Sequence, residues 1–154
     1  MSSDLIPDFE LASTSNKLFR LSDIKSRYLV IFFYPKDDTP GCTNESQQFR
    51  DLYPEFVQMD CEVVGISRDN LKSHEKFREK YDLPYDLLSD NGETVCELFG
   101  VIKMKNMYGK QVRGIERSTF VLDREGKLYN AWRGVKVPGH AEEVLTFIKS
   151  ISAV

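Results

Sequence analysis

The chain has 154 residues, of which 41% are hydrophobic, including ten Phe and seven Tyr; a single domain over 1–154 can build its core from these without disulfides. Twenty-one basic and 24 acidic residues give a formal net charge of -3, which excludes the basic surface that nucleic-acid binding needs. The longest apolar run, residues 28–34, is too short to span a membrane, and the N-terminus lacks the basic and apolar stretches of a secretory signal. A cytoplasmic protein without nucleic-acid or membrane partners is expected.

Residues 28–34 (YLVIFFY) are a continuous run of aromatic and β-branched types, the pattern of a central strand buried on both faces. From Cys42 to about Phe56, the residues Phe49, Leu52, Tyr53 and Phe56 fall at helical spacing. Residues 62–67 (EVVGIS) repeat the buried-strand pattern. A second helix is predicted over 70–81, opened by Asn70 as a cap and carrying Phe77 and Tyr81 four apart. A short helix from Asn91 to Phe99 is closed by Gly100. Residues 102–117 (IKMKNMYGKQVRGIER) are polar and hold two glycines. They read as a surface loop, or as a wall of an active site that delivers Arg117 to the next strand. Residues 118–132 read as a hairpin about the turn Asp-Arg-Glu-Gly. A last helix from Ala141 to Ile151 places Val144, Leu145, Ile148 and Ile151 on one face. Strands alternating with helices predict an α/β protein with a central mixed sheet flanked by helices, a pattern that a thioredoxin-like fold satisfies.

The cysteines are Cys42, Cys61 and Cys96. Three is odd, so one at least stands outside any internal disulfide. No Cys-x-x-Cys pair occurs, which argues against a disulfide oxidoreductase of thioredoxin type. The spacing is unlike that of a zinc site and only His74 and His140 could assist, so no metal site is expected. Cys42 has a distinctive setting. Pro40 and Gly41 force a turn between a buried strand and a helix, which puts Cys42 in the helix's first turn. Free N–H groups and the positive end of the helix dipole meet there and favour a thiolate. Carboxyl ends of strands are also where α/β proteins place active sites. The polar flank of Lys36, Asp37, Asp38, Thr39, Asn44 and Glu45 predicts a reachable thiol rather than a buried structural one.

The residues around Cys42 resemble a known family. Pro35-x-x-x-Thr39-x-x-Cys42 is similar to the signature of peroxiredoxins, and the stretch from Phe33 to Thr43 resembles the peroxiredoxin Q branch, also called bacterioferritin comigratory protein. The segments Gly65 to Asp69 with Ser73-His74, Leu83 to Asp90, and Gly114 to Phe120 have counterparts there. The resemblance implies a thiol peroxidase for hydrogen peroxide and organic hydroperoxides, without metal, haem, flavin or other cofactor. Cys42 would be the peroxidatic nucleophile, oxidised to a sulfenic acid. Thr39 would offer its hydroxyl to the thiolate and the peroxide. Arg117 would hold a permanent charge beside the sulfur, and Pro35 would shield the site. Members of this branch are often monomers.

Many relatives carry a resolving cysteine five positions after the peroxidatic one, where this chain has Gln47, or in the following helix, which here has none. Cys61 reads as a core residue opening a strand, and Cys96 as a structural residue beside Val95, Leu98 and Phe99. A one-cysteine cycle is therefore expected, with thioredoxin, glutaredoxin or glutathione as the external thiol. A Cys42–Cys96 disulfide is the alternative, as is a peroxide sensor that passes its oxidation to a partner protein. Glu45 would bind backbone or Arg117, or simply favour the helix start. His74 and His140 read as surface or cap residues.

Overall fold

The computed structural model describes residues 5–152. In chain order they form β1 (Glu10–Ser13), β2 (Lys17–Arg20), β3 (Tyr28–Phe33), α1 (Pro40–Gln58), β4 (Cys61–Ser67), α2 (Leu71–Lys80) and β5 (Leu87–Ser89). There follow α3 (Thr94–Leu98), β6 (Ile102–Met107), β7 (Lys110–Ile115), β8 (Ser118–Leu122), β9 (Leu128–Arg133) and α4 (His140–Ser152). Seven strands make one sheet in the order β2-β1-β5-β4-β3-β8-β9. β3 pairs in parallel with β4 and antiparallel with β8, so the sheet is mixed, as expected.

All six residues of β3 are buried, because both of its faces are covered. Tyr28, Val30 and Phe32 meet Phe49 and Phe56 of α1, Phe77 of α2 and Val144 and Ile148 of α4. Leu29, Ile31 and Phe33 meet Val95 and Cys96 of α3 with Phe9 and Leu11 on the other face. Phe49 fixes α1 to the sheet by stacking on Phe32 with ring centroids 4.7 Å apart. Gly65 of β4 lies opposite Phe32, and a Cβ there would come within 2.9 Å of that ring. Gly65→Ala should overpack this layer and cost about 1–3 kcal/mol, lowering the melting temperature by about 2–10 °C in a thermal melt. An unchanged melt would mean that the aromatic layer yields more easily than its contacts imply.

Three features depart from the expected elements. The β1–β2 hairpin and three-residue β5 carry too few residues for a readable period. Residues 102–115 form an antiparallel two-stranded ribbon, β6–β7, rather than a loop. Most of its residues face solvent, so its strands show no apolar alternation. Tyr108 and Gly109 make its two-residue turn with φ of 52° and 79°, the left-handed pair that suits the twist of a hairpin. α3 begins at Thr94 rather than Asn91, because the Asp90 carboxylate accepts the N–H groups of Val95 at 3.3 Å and Cys96 at 2.6 Å.

Candidate active site

α1 begins at Pro40, with Thr39 as its N-cap. Proline suits this position because its missing N–H would have no intrahelical partner there. Cys42 therefore falls in the first turn, beyond the carboxyl end of β3, as the turn residues predicted. The thiol is nevertheless buried, with Cys42 only 1% exposed. This corrects the expectation of an open thiol: the polar flank describes the loop's rim, while Cys42 turns inward toward the sheet.

Arg117 reaches this sulfur from the residue before β8. Its Nη2 donates to Cys42 Sγ at 3.4 Å and its Nη1 donates to Glu45 Oε1 at 2.7 Å. Gly41 leaves room for the guanidinium, since a Cβ there would lie 3.2 Å from Arg117 Nη2. Glu45, three residues past Cys42 on α1, is 1% exposed. Burial pushes its carboxyl up to about 7, with the Arg117 charge pulling the other way. Its Oε2 has no hydrogen-bond partner. A guanidinium and a helix N-terminus thus converge on this sulfur, and donors so placed can stabilise negative charge on a departing oxygen.

The other expected site residues stand nearby. The Thr39 hydroxyl donates to Lys36 O at 2.9 Å rather than to Cys42. Pro35, half-buried, opens the loop after β3. Lys105, on β6, comes from the wall segment. Its Nζ donates to Ile115 O at 2.6 Å, and burial with the nearby Arg117 charge lowers its pKa. Neither its spacing nor its neighbours marked it in the sequence.

Both histidines are buried, against the surface reading. His140 opens α4 and places Nε2 2.8 Å from Thr119 Oγ1. His74 is 0% exposed, with Nδ1 2.7 Å from Asp37 Oδ2. Asp37, Asp69 and His74 bring their polar atoms within 4.8 Å of one another. These atoms bind the protein's own groups: Asp37 accepts from Tyr34 and Ser73, and Asp69 accepts from Ser67 and from the Asp37 N–H.

Cys61 and Cys96 are both buried and unpaired. Burial pushes both thiols up, with the Asp90 carboxylate adding to the rise at Cys96. Cys96 packs on the opposite face of the sheet from Cys42. Cys61 pairs with Tyr28 at the far end of β3, and six strand residues at about 3.3 Å each separate it from the loop that leads into α1 and Cys42.

Residues 3–131 match the AhpC/TSA family. Peroxiredoxin Bcp of Bacillus subtilis is 46% identical over 146 residues, covering 95% of this chain and 93% of its own. Peroxiredoxin Bcp of Xanthomonas campestris is 54% identical over 123 residues, covering 80% and 77%. The solved Xanthomonas campestris bacterioferritin comigratory protein, studied for alkyl peroxide reduction, superposes with a TM-score of 0.88 at 47% identity, covering 94% of this chain and 92% of that one. With that architecture, the expected thioredoxin-like fold is borne out, and the chain belongs to the AhpC/TSA family as a peroxiredoxin of the Bcp/peroxiredoxin Q branch, a peroxidase.

Proposed function

We propose that the protein reduces hydrogen peroxide and small organic hydroperoxides at Cys42 in a one-cysteine cycle, in a reducing cytoplasmic setting and as a monomer. The contact that carries this reading is Arg117 Nη2 on Cys42 Sγ at 3.4 Å, at the N-terminus of α1. The thiolate attacks one peroxide oxygen and the O–O bond breaks. The sulfur keeps the hydroxyl as a sulfenic acid, and the other oxygen leaves as an alkoxide or hydroxide that takes up a proton. Arg117 and the first N–H groups of α1 stabilise the negative charge as it moves from sulfur to oxygen. Thr39 turns its hydroxyl to the peroxide once substrate displaces its bond to Lys36 O, and Pro35 shields the pocket.

An external thiol then attacks the sulfenic acid, releasing water and leaving a mixed disulfide, which a second thiol reduces. Thioredoxin, glutaredoxin or glutathione would supply these thiols. Gln47 occupies the position of one familiar resolving cysteine, and α2 holds none. Cys96 lies across the sheet, and a disulfide needs Cα atoms within about 7 Å, so a Cys42–Cys96 bond would demand that α1 unwind and the chain pass an edge of the sheet. Non-reducing mass spectrometry after one equivalent of peroxide tests the cycle. A gain of one oxygen at Cys42 is expected, and an intramolecular disulfide would refute the one-cysteine reading.

A further inference from the structure

The buried sulfur faces two opposed requirements. A peroxide is small enough to enter the closed site, whereas a thiol that attacks from outside needs the sulfur uncovered. Residues 35–41 must be held for the first step and released for the second. We propose that the buried Asp37–His74 pair is the latch that holds this segment, making both of them positioning residues for the peroxide step. This inference rests on regeneration by an external thiol.

His74 meets a hydrogen-bond acceptor at each ring nitrogen. Its Nε2 lies 2.9 Å from Leu88 O on β5, a carbonyl that only accepts, so Nε2 carries a proton. Its Nδ1 lies 2.7 Å from Asp37 Oδ2, which also accepts from Ser73 Oγ at 2.7 Å. A ring protonated on Nε2 alone would turn a lone pair toward a carboxylate. A second proton between the two removes that conflict and makes the contact a charge-assisted bond. The groups around the ring fit this. They are the carboxylates of Asp37 and Asp69 and the hydroxyls of Tyr34 and Ser73, and none is a cation.

Asp37 is thereby pinned at every polar atom of its side chain. Tyr34 OH donates to Oδ1 at 2.6 Å, and the Asp37 N–H donates to Asp69 Oδ2 at 2.9 Å. The neighbouring Asp38 holds Lys80 Nζ at 2.8 Å and Tyr81 OH at 2.7 Å, also on the α2 side. That second set is exposed, where an ion pair contributes little. The buried pair is the stronger hold, since removing either partner strands the other without water. The hold reaches Cys42 through a short path. The Lys36 carbonyl, next to Asp37, accepts the hydroxyl of Thr39, the N-cap residue whose own carbonyl accepts the Thr43 N–H of the turn containing Cys42.

Two rates read the latch in opposite directions. One is oxidation of Cys42 by peroxide, followed by stopped flow. The other is alkylation of reduced Cys42 by a bulky maleimide, read by peptide mass spectrometry. In His74→Leu and Asp37→Ala, oxidation should slow by about 10–100-fold, because misplacing the reacting sulfur by an ångström has that scale of effect. Alkylation should speed up in the same variants. His74→Gln keeps one of the two ring bonds and should recover part of each change; it also serves if His74→Leu fails to fold. Ile148→Val, in the core under α4, should lower stability and move neither rate. Alkylation of His74→Gln and Asp37→Ala at the wild-type rate would overturn the latch. So would the same pair of changes in Ile148→Val. Alkylation needs no peroxide, so a wild-type protein that peroxide fails to oxidise would sink the one-cysteine peroxidase reading and leave the latch to be judged separately.

Discussion

Cys42→Ser is expected to bring peroxide turnover down to background while leaving the fold intact. Serine differs from cysteine here by one atom, and the position is 1% exposed among well-packed neighbours, so little volume is lost. Its hydroxyl can still accept from Arg117. What disappears is the polarizable anion that attacks the O–O bond, because an unassisted serine is not ionised near neutral pH and the side chain bonded to this position, Arg117, only donates. Removing a catalytic nucleophile costs up to about 10⁶ in turnover, and a fall of roughly 10⁴ or more is expected here. Peroxide consumption with dithiothreitol as reductant measures it, beside a thermal melt close to that of the wild type. A serine variant retaining a few per cent of normal turnover would move the chemistry to another residue. Cys61 and Cys96 are poor substitutes, since burial holds both as thiols.

Arg117→Met should produce the next largest loss. Methionine covers similar surface but carries no charge and no donor. The sulfur loses the Nη2 contact at 3.4 Å, and buried Glu45 loses the Nη1 contact at 2.7 Å that is its one hydrogen bond. Removing a single preorganised donor from a site of developing charge costs about 10²–10³ in rate. The rate constant for Cys42 oxidation should fall on that scale. Arg117→Lys should fall between the two: it keeps the charge but cannot span Cys42 and Glu45 with one planar fork. A methionine variant within threefold of the wild type at all pH values would remove Arg117 from the chemistry and leave the helix N-terminus as the main stabiliser.

The parts of this protein that were legible in its sequence share one property: their cause lies within a few residues. The run YLVIFFY needs only its own side chains to mark a doubly covered strand. Pro40-Gly41 ahead of Cys42 needs only backbone stereochemistry to place a cysteine at a helix start. The ribbon β6–β7 was illegible as strands because both its faces meet solvent and nothing selects alternating apolar residues. The burial of His74 is illegible for a related reason. It sits in LKSHEKFREK, where charged neighbours describe the exposed side of α2 and hide the one polar residue turned inward.

Position alone marks Cys42 as a nucleophile in the sequence, yet its burial is not legible there. Its partner Arg117 is 75 positions away in the chain, and family resemblance rather than spacing pointed to it. The sequence by itself determined the central strands, the helix that begins at the reactive cysteine, and the absence of a cysteine at Gln47 and along α2. Only the tertiary structure decided that Arg117 meets the sulfur, that Asp37 and His74 clamp the loop, and that Cys96 lies across the sheet. The physical reason is register: side chains alternate between the faces of a sheet, so a slip of one residue moves a whole set to the other side. That choice is made by packing among distant segments, which no local stretch of sequence contains.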